Sequence, residues 1–94
     1  MAVKIKDGFM IRRVAGEYVV VPVGNTEKTF HGMIQLNVTG AFLWEQCVKE
    51  TTKEQVIQAL TDKYEVERDI AQKDVERFLK RLVDAGILET GSHV

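Results

Sequence analysis

The sequence is poor in the residues that most directly mark chemistry. Of its 94 residues, one is cysteine, one proline, one tryptophan and two histidine. The lone thiol, Cys47, has no partner for an internal disulfide, which excludes a disulfide-stapled secreted scaffold and fits a reducing compartment. The only serine is Ser92, in the last four residues, so the body of the chain holds no serine nucleophile. His31 and His93 stand far apart, and no Cys-x-x-Cys, His-x-x-x-His or His-Glu-x-x-His spacing occurs, so no metal site is expected. The seven glycines are scattered, and none builds a phosphate-cradling loop between a strand and a helix. A formal net charge of −1 gives no broad field towards nucleic acid or anionic lipid. No apolar run approaches the ~20 residues that span a bilayer, and Met1 to Asp7 lack the apolar core of a signal peptide. The cytoplasm is the expected location.

What remains is an ordinary globular balance, 45% hydrophobic and 29% charged, enough for one domain with one core. No repeat or linker divides it. Residues 1–90 read as a single domain and residues 91–94 as a loose tail.

The pattern splits the chain into an extended half and a helical half. Phe9 to Val14 and Tyr18 to Val23 are β-branched and aromatic, and Ala15-Gly16 between them makes a tight turn, predicting a hairpin. Pro22 lacks a ladder donor, so that end is expected to be unpaired or bulged. Phe30 to Leu36 is a third extended run. Its alternation sets Phe30, Gly32, Ile34 and Leu36 on one face and His31, Met33 and Gln35 on the other. His31 then reads as a strand surface position.

From Asn37, a good N-cap, the period becomes helical. Ala41, Trp44 and Val48 share one face, flanked by Leu43 and Cys47, which makes Cys47 a small buried core residue. Thr52 with Gln55, and Thr51 with Glu54, have capping-box spacing. The second helix presents Val56, Ile57, Leu60 and Tyr64. The third runs roughly from Glu67 to Ala85, with Ala71, Val75, Phe78, Leu79, Leu82 and Val83 turned inward. Gly86 closes it, and Ile87-Leu88 folds back onto the core. Glu76 and Lys80 are spaced as an i,i+4 ion pair. Strands first and helices second predict an α+β fold, a three-stranded antiparallel sheet followed by three helices.

The segment Ile34-Gln35-Leu36-Asn37-Val38-Thr39-Gly40-Ala41-Phe42-Leu43-Trp44-Glu45 resembles the signature of the PqqD-like family, with a strand ending in Leu-Asn followed by an aliphatic-Trp helix. The early hairpin, the Thr-Thr-x-Glu helix start and Asp74-Val75-Glu76-Arg77-Phe78-Leu79-Lys80-Arg81-Leu82 closed by Gly-Ile-Leu follow in the same order, so the similarity covers roughly Lys4 to Glu89. The resemblance implies a winged-helix-like peptide-binding domain called the RiPP recognition element, here in freestanding form. It implies a non-catalytic role without cofactor: such a domain holds the leader of a ribosomally made precursor peptide and presents it to a modifying enzyme such as a radical SAM maturase. It also implies where the leader docks, as a strand added along Phe30, His31, Gly32, Met33, Ile34, Gln35 and Leu36, against a flank of the third helix formed by Asp74, Arg77, Phe78 and Arg81. Strand addition suits an edge that carries neither Pro nor Lys.

Lys73, Arg77, Lys80 and Arg81 recur at helical spacing, so Lys73 joins that flank as a candidate contact for an acidic leader. Two other functions keep the same fold: a winged-helix DNA-binding regulator and a structural module that forms a homodimer. The acids interleaved with this basic group, Asp74, Glu76 and Asp84, count against DNA.

Overall fold

The computed structural model describes residues 2–24, 26 and 34–90. It opens with a strand that the pattern reading left out, β1 (Ala2–Ile5), whose Val3 and Ile5 are buried. The hairpin follows as β2 (Phe9–Val14) and β3 (Glu17–Pro22), in register from Phe9 opposite Pro22 to Val14 opposite Glu17. β4 (Ile34–Leu36) pairs antiparallel with β3, giving the sheet order β2-β3-β4. Next come α1 (Val38–Cys47), β5 (Thr51–Thr52), α2 (Lys53–Tyr64), α3 (Arg68–Asp84) and β6 (Leu88–Thr90). β5 and β6 flank β1 antiparallel in a second small sheet. The three-strand, three-helix order is therefore present, with three short strands added to it. The remainder of the third run, Phe30 to Met33, lies outside the described residues.

The turn between β2 and β3 places both Ala15 and Gly16 at positive φ, 52° and 83°. That is the two-residue hairpin turn whose twist matches its strands. It sets the ladder: a two-residue loop makes Val14 and Glu17 a hydrogen-bonded pair, and such pairs alternate along the strands. The Val23 amide donating to Gly8 at 2.9 Å extends the same alternation beyond the hairpin. Pro22 consequently sits at a position that gives no hydrogen bond to β2, and it stays in register opposite Phe9. The expected bulge is absent there, because the proline costs that pairing nothing.

Helix ends follow the sequence closely. The Asn37 side chain accepts from the Gly40 amide at 2.7 Å, and the Thr52 hydroxyl accepts from the Gln55 amide at 3.1 Å. Thr51 instead donates to the Gln55 side chain. After α3, Gly86 at φ 77° donates to the Val83 carbonyl, and Ile87 donates to Leu82. These two bonds form a Schellman closure that turns Ile87 into the core, where it is fully buried.

One cluster joins both sheets and all three helices, with Val3, Val20, Leu36, Trp44, Cys47, Leu60, Phe78 and Leu82 among its members. Three residues expected on apolar faces are exposed instead: Val48, Tyr64 and Val83. Val48 is the cap beyond the last residue of α1. Tyr64 ends α2 and packs its ring edge-on against Phe42, centroids 5.8 Å apart. Val83 lies about 100° round the helix from Leu82, which puts it past the stripe of Val75, Phe78 and Leu82. The Glu76–Lys80 pair is replaced by two others. Glu76 accepts from Lys53 at 2.7 Å, and Lys80 pairs with Asp84 at 3.0 Å.

Two outcomes check this architecture. Trp44→Ala should lower unfolding free energy in urea by about 3–5 kcal/mol, the usual range for a buried aromatic, and a loss below about 1 kcal/mol would contradict the core. Ala15→Asn should raise it by about 0.5–1 kcal/mol, since asparagine tolerates the left-handed region better than alanine; an unchanged or lower value would contradict the turn.

Candidate functional site

β4 is an edge strand of its sheet among the described residues. The ladder set by the hairpin decides what that edge shows. Val19 belongs to a hydrogen-bonded pair with Arg12, so its amide and carbonyl face β2. Tyr18 and Val20 then bond to Leu36 and Ile34, and Gln35, opposite Val19, turns its backbone N–H and C=O away from the sheet.

Beside this edge lies a groove of about 670 Å³ between β4 and α3. Leu36, Leu43 and Phe78 line it with buried apolar side chains. Asp74, Arg77 and Arg81 line it from α3, one turn apart. Asn37, Thr39 and Gly40 bring the first turn of α1 to it, and Glu17 closes it from the start of β3. Gly40 is there because the space is tight: a Cβ would stand 3.2 Å from the Asn37 side chain and 3.3 Å from Leu36.

The charges are not equivalent. Arg81 reaches across from α3 and donates through Nη2 to the Gln35 carbonyl at 3.1 Å. Arg77 makes no hydrogen bond or ion pair among the described residues. Lys80 is engaged by Asp84, and Lys73 is exposed but does not line the groove. Lys53 and Gln72 hydrogen-bond the Glu76 carboxylate and hold its pKa below the ordinary value, which takes that acid out of the basic flank.

Of the residues singled out in the sequence, the structure thus gathers Gln35, Leu36, Asp74, Arg77, Phe78 and Arg81 at one groove. Ile34 is buried against the core. Phe30, His31, Gly32 and Met33 lie outside the described residues. Glu17, Thr39, Gly40 and Leu43 also line the groove but were not singled out as site residues. Asn37 does so as well, although the sequence marks it only as a helix cap. Thr39, Gly40 and Leu43 belong to the stretch that carries the family resemblance; Glu17 reaches the site only through the strand register.

The one cysteine of the sequence is not among the residues that line the groove. Cys47 is fully buried, and loss of solvation pushes its thiol from the ordinary 9.0 up to about 11. Among the described residues no cluster of three metal-ligating side chains occurs, and no helix is long and apolar enough to cross a membrane.

The family model for coenzyme PQQ synthesis protein D (PqqD) matches residues 17–88. The chain belongs to the PqqD family. Three solved structures share its fold. TbiB1, in complex with the TbiA(beta) leader peptide, is 23% identical with a TM-score of 0.73, covering 92% of this chain and 94% of its own. A lasso peptide synthetase B1 complexed with the leader peptide is also 23% identical, with a TM-score of 0.71 over 94% and 98%. The PqqD truncation of Methylobacterium extorquens PqqCD, described as a stand-alone RiPP recognition element, is 16% identical with a TM-score of 0.71 over 95% and 89%. A comparison with curated proteins gives no match.

The buried thiol yields a direct check. Native protein at neutral pH should resist thiol-specific labelling and react only after unfolding. Because the folded pKa lies above the unfolded one, burial of the neutral thiol favours the fold fully up to about pH 9. That contribution fades between pH 9 and 11 as the unfolded thiol ionises. The stability gap between wild type and Cys47→Ala should narrow over that interval; a constant gap, or rapid labelling of native protein, would mean that the thiol is accessible.

Proposed function

We propose that this PqqD-family chain is a non-catalytic peptide chaperone of the cytoplasm. It binds the leader of a ribosomally made precursor as a strand added to β4 and presents the rest of the precursor to a modifying enzyme, such as a radical SAM maturase. The observation that carries the reading is the outward-facing backbone of Gln35, whose N–H and C=O lie outside the β3–β4 ladder, beside a groove with an apolar floor. An edge of this kind supplies sequence-independent hydrogen bonds, and the groove supplies side-chain selection.

In this reading Gln35 gives the ladder bonds and the stretch Phe30, His31, Gly32 and Met33 continues them. Leu36 and Phe78 receive apolar leader side chains, and Asp74 and Arg77 read charge. Family membership and the two similar folds solved with leader peptides support it. A DNA-binding role fits less well, because the cations of α3 are divided: Lys80 is neutralised by Asp84 and Arg81 is bound to β4, which leaves few for phosphates.

The leader of a short precursor encoded beside this chain's gene is the natural probe. Gln35→Pro removes the outward N–H of Gln35 without touching a β3–β4 hydrogen bond, so calorimetric affinity should fall by about tenfold or more while the circular dichroism stays native. Arg77→Glu should weaken binding several-fold at low salt, and the loss should shrink towards ~0.5 M salt as exposed charges are screened. Native affinity in both variants would place the leader elsewhere.

A further inference from the structure

The bond from Arg81 to Gln35 sits at the point the peptide needs. A strand added to β4 must donate an N–H to the outward Gln35 carbonyl, yet the Arg81 guanidinium already donates to that oxygen from across the groove. Arg81 is exposed and forms no ion pair among the described residues. A fixed cation is therefore held by a neutral carbonyl, a weaker partner than a carboxylate offering charge-assisted bonds in the guanidinium fork. The other cations near it do not compete for the same oxygen. Lys80 points to Asp84, and Arg77, one turn back, has no partner among the described residues.

We propose that Arg81 is an exchange latch that sets which peptides the groove accepts. In the free protein it covers the exposed acceptor of β4 and discourages pairing with stray strands, the hazard of any open edge. It releases the Gln35 carbonyl readily only to a peptide that brings two groups together: a backbone N–H for the oxygen, and an Asp or Glu within a residue or two for the guanidinium. The partner class is thus an extended peptide with an acidic side chain in fixed register with Gln35. A peptide without the acid returns the exposed Arg81 guanidinium to water and gains no charge-assisted bond from it. The latch rests on the strand-addition reading and adds to it a selectivity that the open edge alone does not have.

Arg81→Met tests it, since methionine is a good helix former and keeps an apolar stem in the groove while removing every donor. A display library of random linear peptides is selected in parallel on wild type and on the variant, and chemical-shift mapping locates the bound peptides. Wild type should enrich Asp or Glu at one position, and an acid-to-alanine change there should weaken binding by roughly fivefold. On Arg81→Met the enrichment at that position should vanish, even where an acid opposite Arg77 is kept, the same change should matter by less than about twofold, and peptides with alanine there should bind at least as tightly as they bind wild type. Equal acid enrichment on both proteins, with shifts centred on Gln35, overturns the latch and leaves strand addition standing. A library that yields no binder, or binders whose shifts miss Gln35, overturns strand addition and the latch with it.

Discussion

The two-residue turn at Ala15-Gly16 fixes which backbone groups of β4 face outward. With that loop length, Val14 pairs with Glu17 and the alternation runs through Arg12 and Val19 to the far strand. Gln35 is left as the outward residue. A turn one residue longer would reverse the parity. Ile34 and Leu36 would then show their backbone to the groove, and no side-chain contact of Gln35 could restore the edge. The hairpin thus does more than supply Glu17 to the groove: its turn decides which backbone groups the groove meets.

Packing supplies the second constraint. Leu36, Leu43 and Phe78 are buried members of the central cluster, so the floor of the groove is also part of the core. β4 and α3 cannot approach one another without expelling these side chains, nor separate without opening a void. The charged side chains that α3 brings to the groove, Asp74, Arg77 and Arg81, remain partly or fully exposed, and exchanging water, or for Arg81 the Gln35 carbonyl, for another partner costs little. In the proposed mode Leu36 and Phe78 serve both core and groove, whereas Gln35 and Arg77 stand outside the core cluster. For that reason, changes at Gln35 or Arg77 are expected to alter binding without unfolding the chain.

Much of this was legible in the sequence. The hairpin, the caps at Asn37 and Thr52 and the glycine closure after α3 follow from local rules, and each has its expected hydrogen bond. β1, β5 and β6 were not legible, because strands of two to four residues give too little alternation to register and owe their existence to one another across long separations. The same limit applies to the groove. Helical spacing brought Arg77 and Arg81 to one flank, but it could not divide their roles, which depend on a backbone carbonyl 46 residues away from Arg81. Nor could it join Glu17 to Asn37, which needs the β3–β4 register. The expected Glu76–Lys80 pair failed for a related reason: Lys53, on another helix, is the stronger claimant for Glu76.

Backbone amide hydrogen exchange, read residue by residue along β4 with and without saturating leader peptide, tests the central claim most directly. In the free protein the Ile34 and Leu36 amides, bonded to β3, should exchange slowly, and the Gln35 amide, facing the groove, should exchange fast. On binding, Gln35 should slow by at least about tenfold, the worth of one added ladder bond. A Gln35 amide that stays fast while protection rises instead on the outer edge of β2, at Phe9, Ile11 and Arg13, would contradict the account.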